Sequence, residues 1–149
     1  MVKTLDESDV AAIDHIGLWL WRAAMDWRGR MRAEMAVRGY PWHSEARGEV
    51  LAHLGPSGIS QSELTTRMGF TKQAVQQLID QLAEDGVVHR LPDPSDKRAK
   101  RIALTELGLR DLAERNRVKR GIEEDYRQKL GDKRYKRLEK ALKRLVAEG

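Results

Sequence analysis

Residues Ser60–Gly108 read SQSELTTRMGF, then TKQAVQQLIDQLAEDG, then VVHRLPDPSDKRAKRIALTELG. The spacing of Ser60 and Glu63 is that of a capping box, S-x-x-E, which satisfies free amides at the start of a helix. Gly69 suits the left-handed position that ends a helix. Gly69, Phe70 and Thr71 then form a tight turn, and Thr71 is a good N-cap for a second helix. That helix carries Val75, Leu78, Ile79 and Leu82 at helical spacing, so one stripe faces a core. The opposite face shows Lys72, Gln73, Gln76, Gln77 and Asp80. Gly86 stops it. Two helices joined by a short glycine-containing turn are the helix-turn-helix pattern.

The next segment adds a hairpin. Val87–Leu91 has the β-branched content of a strand, Pro92–Ser95 are turn residues, and Lys100–Leu104 alternates basic with apolar side chains, as a half-buried strand does. A helix-turn-helix followed by a hairpin is a winged helix. The hairpin tip sets Lys97, Arg98, Lys100 and Arg101 against Asp93 and Asp96. A basic projecting loop beside a polar helix face is a footprint for DNA.

These residues resemble a known family. The run Asp93-Pro94-Ser95-Asp96-Lys97-Arg98-Ala99, followed by Leu104-Thr105-Glu106-Leu107-Gly108, is similar to the wing and post-wing signature of the MarR family of bacterial transcriptional regulators. The turn Gly69-Phe70-Thr71 and the helix from Ala74-Val75 to Leu82 fit the same pattern. The resemblance covers essentially the whole chain in length and helix order. It implies a mainly α fold with a small β wing, the winged helix-turn-helix being inserted between dimerisation helices. It also implies a two-residue strand near Ile59 that pairs with the wing. On that reading the chain is one MarR-like domain, 1–149. Its DNA-binding lobe is 42–108, and its helical dimerisation lobe is 5–40 with 109–149.

The flanking segments suit that role. After five residues expected to be loose, the charges Asp6, Glu7 and Asp9 with Ser8 favour a helix start, and a long helix is expected from about Ser8 to Arg38. Ile13, Ile16, Leu20, Ala24, Trp27, Met31 and Met35 make its apolar stripe. Trp19 and Trp21 lie off that stripe, so a second partner face is expected. Gly39 and Pro41 close this helix, and Ser44 caps a shorter one running to Leu54. Thr105 caps another long helix, to about Leu130, with Leu109, Leu112, Val118, Ile122 and Tyr126 inward. Its middle, Arg115–Arg120, is basic and thin in apolar residues. Gly121 inside it suggests a kink or a close crossing. A last helix repeats Tyr135, Leu138, Leu142, Leu145 and Val146 as a seam. The terminal stripes predict a homodimer.

Composition narrows the classes. The chain has 149 residues and a formal net charge of +5, suited to a polyanionic partner. It has no cysteine, which excludes disulfides and a thiol-based sensor. No apolar run approaches the roughly 20 residues that cross a membrane, and MVKTLDESDV lacks the apolar core of a signal peptide. A cytoplasmic protein with no membrane partner is expected. No cofactor and no metal are expected: His15, His43, His53 and His89 are scattered, with no pair at helical metal-ligand spacing, and read as surface or interface residues. No nucleophile motif appears, and the chain is read as a non-enzyme.

Candidate sites follow. Thr71, Lys72, Gln73, Gln76 and Gln77 form the expected base-reading face, double-stranded DNA being the partner. Relatives often carry Arg at position 77, which pairs with guanine; Gln pairs bidentately with adenine and tilts the operator toward A·T. Lys97, Arg98 and Lys100 are expected at a minor groove, and Asp96 either pairs with Arg98 or caps the turn. Relatives often bind small aromatic or phenolic anions. Trp19, Trp21, Arg22, Trp27, Trp42 and Glu49 are the candidates for such an effector pocket, with core and dimer packing as the plainer role for any one Trp. The function expected is that of a sequence-specific regulator, a repressor acting as a homodimer on a pseudo-palindromic operator. The rival is a winged helix used as a protein-binding or architectural module.

Overall fold

The computed structural model describes residues 4–147, so the expectation of a loose start lies, for 1–3, outside the described residues. Six helices and one small sheet follow in the order α1 (Ile16–Val37), a 3-10 turn (Pro41–His43), α2 (Glu45–Ala52), β1 (Ile59–Ser60), α3 (Gln61–Met68), α4 (Lys72–Glu84), β2 (Val88–Asp93), β3 (Asp96–Leu104), α5 (Glu106–Leu130) and α6 (Asp132–Val146). The first helix starts eight residues later than its charges suggest. The Asp6 carboxylate accepts from the Ser8 amide (2.8 Å) and the Asp9 amide (3.0 Å). It thereby closes a local turn, the usual way in which aspartate competes with a helix. His15 is the true N-cap, its Nδ1 accepting from Leu18 N at 3.3 Å.

The winged-helix lobe is built on one core. Val50, Leu51 and Leu54 of the α2 region meet Leu64 of α3, Val75, Ile79 and Leu82 of α4, and Val88, Ile102 and Leu104 of the sheet. The caps that set α3 and α4 are local. Ser60 Oγ accepts from Glu63 N (3.2 Å) and Thr71 Oγ1 from Ala74 N (3.1 Å), and Gly69 takes φ +66 between them. The box at Ser60 is only half made, because the Glu63 carboxylate turns to Arg67 at 2.6 Å. Ser44 sits at the N-cap of α2 without a side-chain cap bond.

The sheet has the order β1-β3-β2, with Ile59 opposite Ile102 and Val88 opposite Leu104. The wing strands run further toward the tip than expected, since Asp93 pairs with Asp96 and only Pro94 and Ser95 are left to turn. The sheet is pressed hard onto its neighbours. A Cβ on Gly108, in the first turn of α5, would lie 2.2 Å from the Val87 carbonyl. Thr105 caps α5 and also donates to the Gly86 carbonyl (2.5 Å).

The helical lobe has a smaller core of Met31, Met35, Val118 and Ile122, with Trp27, Tyr40 and Tyr126 against it. Helix α5 continues through Gly121, whose surroundings within the chain are open, so a close crossing inside the chain does not account for that glycine. Much of the terminal stripes stays uncovered: Ile13, Ile16, Leu138, Leu142 and Leu145 are exposed, as are Trp19 and Trp21 off the stripe. Leu20, Ala24, Trp27, Tyr126, Tyr135, Leu138 and Leu142 line an apolar groove of about 440 Å³ between α1, α5 and α6.

Candidate nucleic-acid interface

Because Val75, Ile79 and Leu82 are fully buried, the geometry of a helix forces the other face of α4 outward. Thr71, Lys72, Gln73, Gln76, Gln77 and Asp80 are all exposed. Beside this face, between α3, α4 and the wing, opens a cleft of about 720 Å³. Lys72, Gln76, Arg98 and Lys100 line it, together with Gln61, Ser62 and Thr65 of α3. Four of the eight expected DNA residues thus share one concave surface. Gln73 and Gln77 lie on the exposed flank of the same helix, and Lys97 stands at the tip.

The acids at the wing are used to build it. Asp93 Oδ1 accepts from the Ser95 amide (2.9 Å) and hydroxyl (2.7 Å). Those bonds hold its carboxyl below the usual carboxylate range. Asp96 Oδ1 accepts from the Arg98 amide at 3.0 Å. Of its two expected roles it therefore takes the turn cap. With both carboxylates occupied by the turn, no ion pair among the described residues ties down Lys97, Arg98 or Lys100. Arg101 departs from expectation: it turns back to the base of the wing and donates to the carbonyls of Ser57 (2.9 and 2.6 Å) and Gly58 (3.1 Å). It anchors the loop before β1 and is not part of the free tip.

One residue of the cleft went unread. Arg90 of β2 reaches Asp80 of α4 at 2.6 Å and the Gln76 carbonyl at 3.4 Å, fastening wing to recognition helix and neutralising the one acid on that face. The signal was the alternation of VVHRL, which puts Arg90 on the same side of β2 as the core residue Val88.

The expected effector residues do not converge. Arg22 stacks over the Trp19 ring at 5.3 Å near the start of α1, and Trp42 packs against the winged-helix core and edge-on to Tyr40. The separation follows from length, since α1 rises about 1.5 Å per residue and Trp19 lies two and a half turns from Arg28. Glu49 does line a small cavity of about 130 Å³ between α1, α2 and α5, with Trp27, Arg28, His43, Arg115 and Lys119. Here lies a buried polar network, of which only His43 was expected at the surface or an interface. Asp111 is fully buried; it meets His43 Nε2 at 2.7 Å and Arg115 Nε at 2.9 Å, and Arg115 Nη1 donates to the Leu51 carbonyl at 2.5 Å. Arg115 Nη2 is buried with no hydrogen-bond partner. Burial, with Arg115 beside it, pulls the Lys119 pKa below the ordinary lysine range. His43 is therefore a core histidine, contrary to expectation.

Comparisons with known proteins agree with this layout. A sequence model of the MarR family matches residues 46–99, the span of the helix-turn-helix and the start of the wing. The exopolysaccharide II synthesis transcriptional activator ExpG of Rhizobium meliloti (strain 1021) is 29% identical over 102 residues, which is 68% of this chain and 53% of ExpG; the chain spans about half the length of that relative. Wild-type MarR from E. coli in its apo form superposes with a TM-score of 0.72 at 21% identity, over 91% of this chain and all of that one. CouR from Rhodococcus jostii RHA1, solved with p-coumaroyl-CoA bound, superposes with a TM-score of 0.70 at 25% identity, over 91% of this chain and 94% of that one. Among the described residues no helix is long and apolar enough to cross a membrane. The family pattern over residues 46–99 and the shared fold over nearly the whole length make this chain similar to the MarR family of winged helix-turn-helix transcriptional regulators.

Proposed function

We propose that the protein regulates transcription by binding duplex DNA as a homodimer on a pseudo-palindromic operator. The observation that carries this is the pairing of an exposed Gln-rich face on α4 with a wing whose acids are consumed by its own turn while Lys97, Arg98 and Lys100 stay free. Gln73, Gln76 and Gln77 enter the major groove of each half-site, and the wing cations sit at the flanking minor groove, where a narrow A·T-rich stretch attracts them. Both copies are required because one short helix reads too few bases. We read the action as repression by occupancy of the operator; the activator ExpG shows that relatives also work in the other sense.

An effector fits the cavity between the lobes better than the site expected from the tryptophans. A compact aromatic anion there would meet the unpartnered Nη2 of Arg115 and the Lys119 ammonium, with the Trp27 ring as a wall. CouR carries an aromatic acyl thioester, and we propose the simpler class, a small aromatic acid, for this chain. Drawing Arg115 toward the ligand would loosen its bond to the Leu51 carbonyl at the end of α2, and so shift the winged lobe against the helical one.

The wing gives the test. Replacing Lys97 and Arg98 together by Ala is expected to weaken binding on every sequence and to flatten its salt dependence. The slope of log K against log salt should fall by about 0.9 for each phosphate that the wing no longer neutralises. Unchanged affinity and slope would remove the wing from the DNA and leave the winged helix as a protein-binding module.

A further inference from the structure

We infer that the outer face of α6 is a second docking surface for duplex DNA, separate from the recognition helix and wing. The inference rests on the reading of the protein as a DNA binder and extends it to a face that reading does not use. Helix α6 has seven Lys or Arg and two acids in its fifteen residues. Elsewhere the chain holds equal numbers of basic and acidic side chains, so its whole net charge of +5 sits on this one helix.

The charge is ordered as well as dense. Lys136 and Lys143 are paired with acids one turn away, Asp132 at 3.0 Å and Glu139 at 3.2 Å. Lys133, Arg137, Lys140 and Arg144 are all exposed, and among the described residues no ion pair holds any of them. They recur at steps of four, three and four, which makes one line about 16 Å long on the helix at 1.5 Å per residue. Like charges at that spacing disfavour a helix. The neighbouring α5 shows the ordinary alternative. There Arg110, Arg117 and Arg127 each pair with a glutamate three or four residues away.

The partner follows from what the stripe lacks. The apolar side chains of α6, Tyr135, Leu138 and Leu142 at the groove against α1 and α5 and Leu145 and Val146 beyond it, lie on the side opposite the four cations, so the stripe itself has nothing apolar to insert into a lipid surface. The stripe holds no aromatic or aliphatic anchor of the kind that centres a protein interface. A straight row of four cations with nothing apolar suits a polyanionic rod, and duplex DNA carries one charge per roughly 1.7 Å of its axis. The stripe is also remote from the cleft: α5 carries the chain about 37 Å along its length before Gly131, at φ +81, reverses it. A dimer holding its operator through α4 and the wing would thus present two further stripes to other DNA.

The test uses the full-length protein tethered to beads, its winged lobes saturated with unlabelled operator selected beforehand. A labelled random-sequence duplex is then offered across a salt series. The wild type is expected to capture it at low salt. The variant Lys133→Gln, Arg137→Gln, Lys140→Gln, Arg144→Gln is expected to capture at least tenfold less, while binding a short operator within twofold of wild type and keeping its helicity. Equal capture by both proteins would overturn the inference. So would wild-type capture of phosphatidylserine vesicles or of polyglutamate without capture of the second duplex, or no capture at all at low salt. If no operator can be selected, the proposed function fails on its own, and the same comparison on the tethered protein without operator still reads the stripe.

Discussion

Replacing Asp111 by alanine is expected to remove about 3–5 kcal/mol of stability, the usual cost of stripping one partner from a buried ion pair. Asp111 is fully buried and joins three elements through His43 of the 3-10 turn and Arg115 of α5, which in turn holds the Leu51 carbonyl of α2. Burial pulls the Arg115 pKa down, and Asp111 is what opposes that pull. Without the carboxylate a guanidinium is left in the interior with one neutral acceptor. At roughly 2–4 °C per kcal/mol for a chain of this size, the melting temperature should fall by about 6–20 °C. Asp111→Ala combined with Arg115→Met should recover much of the loss, since neither charge is then stranded. Thermal and urea melts of the three proteins check this. A single variant melting within about 2 °C of wild type would show that the network holds nothing together.

Leu142→Asp is expected to abolish the dimer. Leu142 lines the groove between α1, α5 and α6 with Leu20, Ala24, Tyr135 and Leu138, and the exposed stripe continues to Leu145 and Val146. The proposed two-fold partner covers this surface, burying more than the roughly 2,000 Å² at which obligate interfaces begin. A carboxylate in the seam would be desolvated without a cation facing it from α1. Sedimentation should show dimers for the wild type at micromolar concentration and monomers or unfolded chains for the variant. Specific DNA affinity should fall toward the non-specific level, a loss on the order of 10³-fold. A wild type that sediments as a stable folded monomer would contradict the assembly.

The parts of this molecule that were legible in its sequence are the parts whose chemistry is local. Thr71 and Ser60 cap helices through amides three residues away, and the stripe of Val75, Ile79 and Leu82 fixes which face of α4 looks outward. The same locality misled at the start of α1, where Asp6 had two uses for its carboxylate and the turn won over the helix. The buried network could not be read, because Asp111 and Arg115 sit four apart on a basic stretch that looks like any solvated helix face. Only the fold brings His43, 68 residues earlier, over them. The residues expected at an effector site are only partly brought together, Trp27 and Glu49 sharing the small cavity. Trp19 and Arg22 stay together near the start of α1, but the length of that helix and the turn at Pro41–His43 hold Trp42 apart from them.

On the proposed function, the outward face of α4 reads bases at two symmetric half-sites. Gln77 is exposed in the second turn of the helix, and its amide matches adenine N6 and N7 as Arg matches guanine O6 and N7. Selecting bound duplexes from random DNA with the wild type, Gln77→Ala and Gln77→Arg tests this most directly. The wild type should return a pseudo-palindrome with A·T at one symmetric pair of positions. Gln77→Arg should move that pair to G·C, a preference of about 1–3 kcal/mol for each base read, and Gln77→Ala should leave it relaxed. The same consensus from all three proteins, or none from the wild type, would contradict the account.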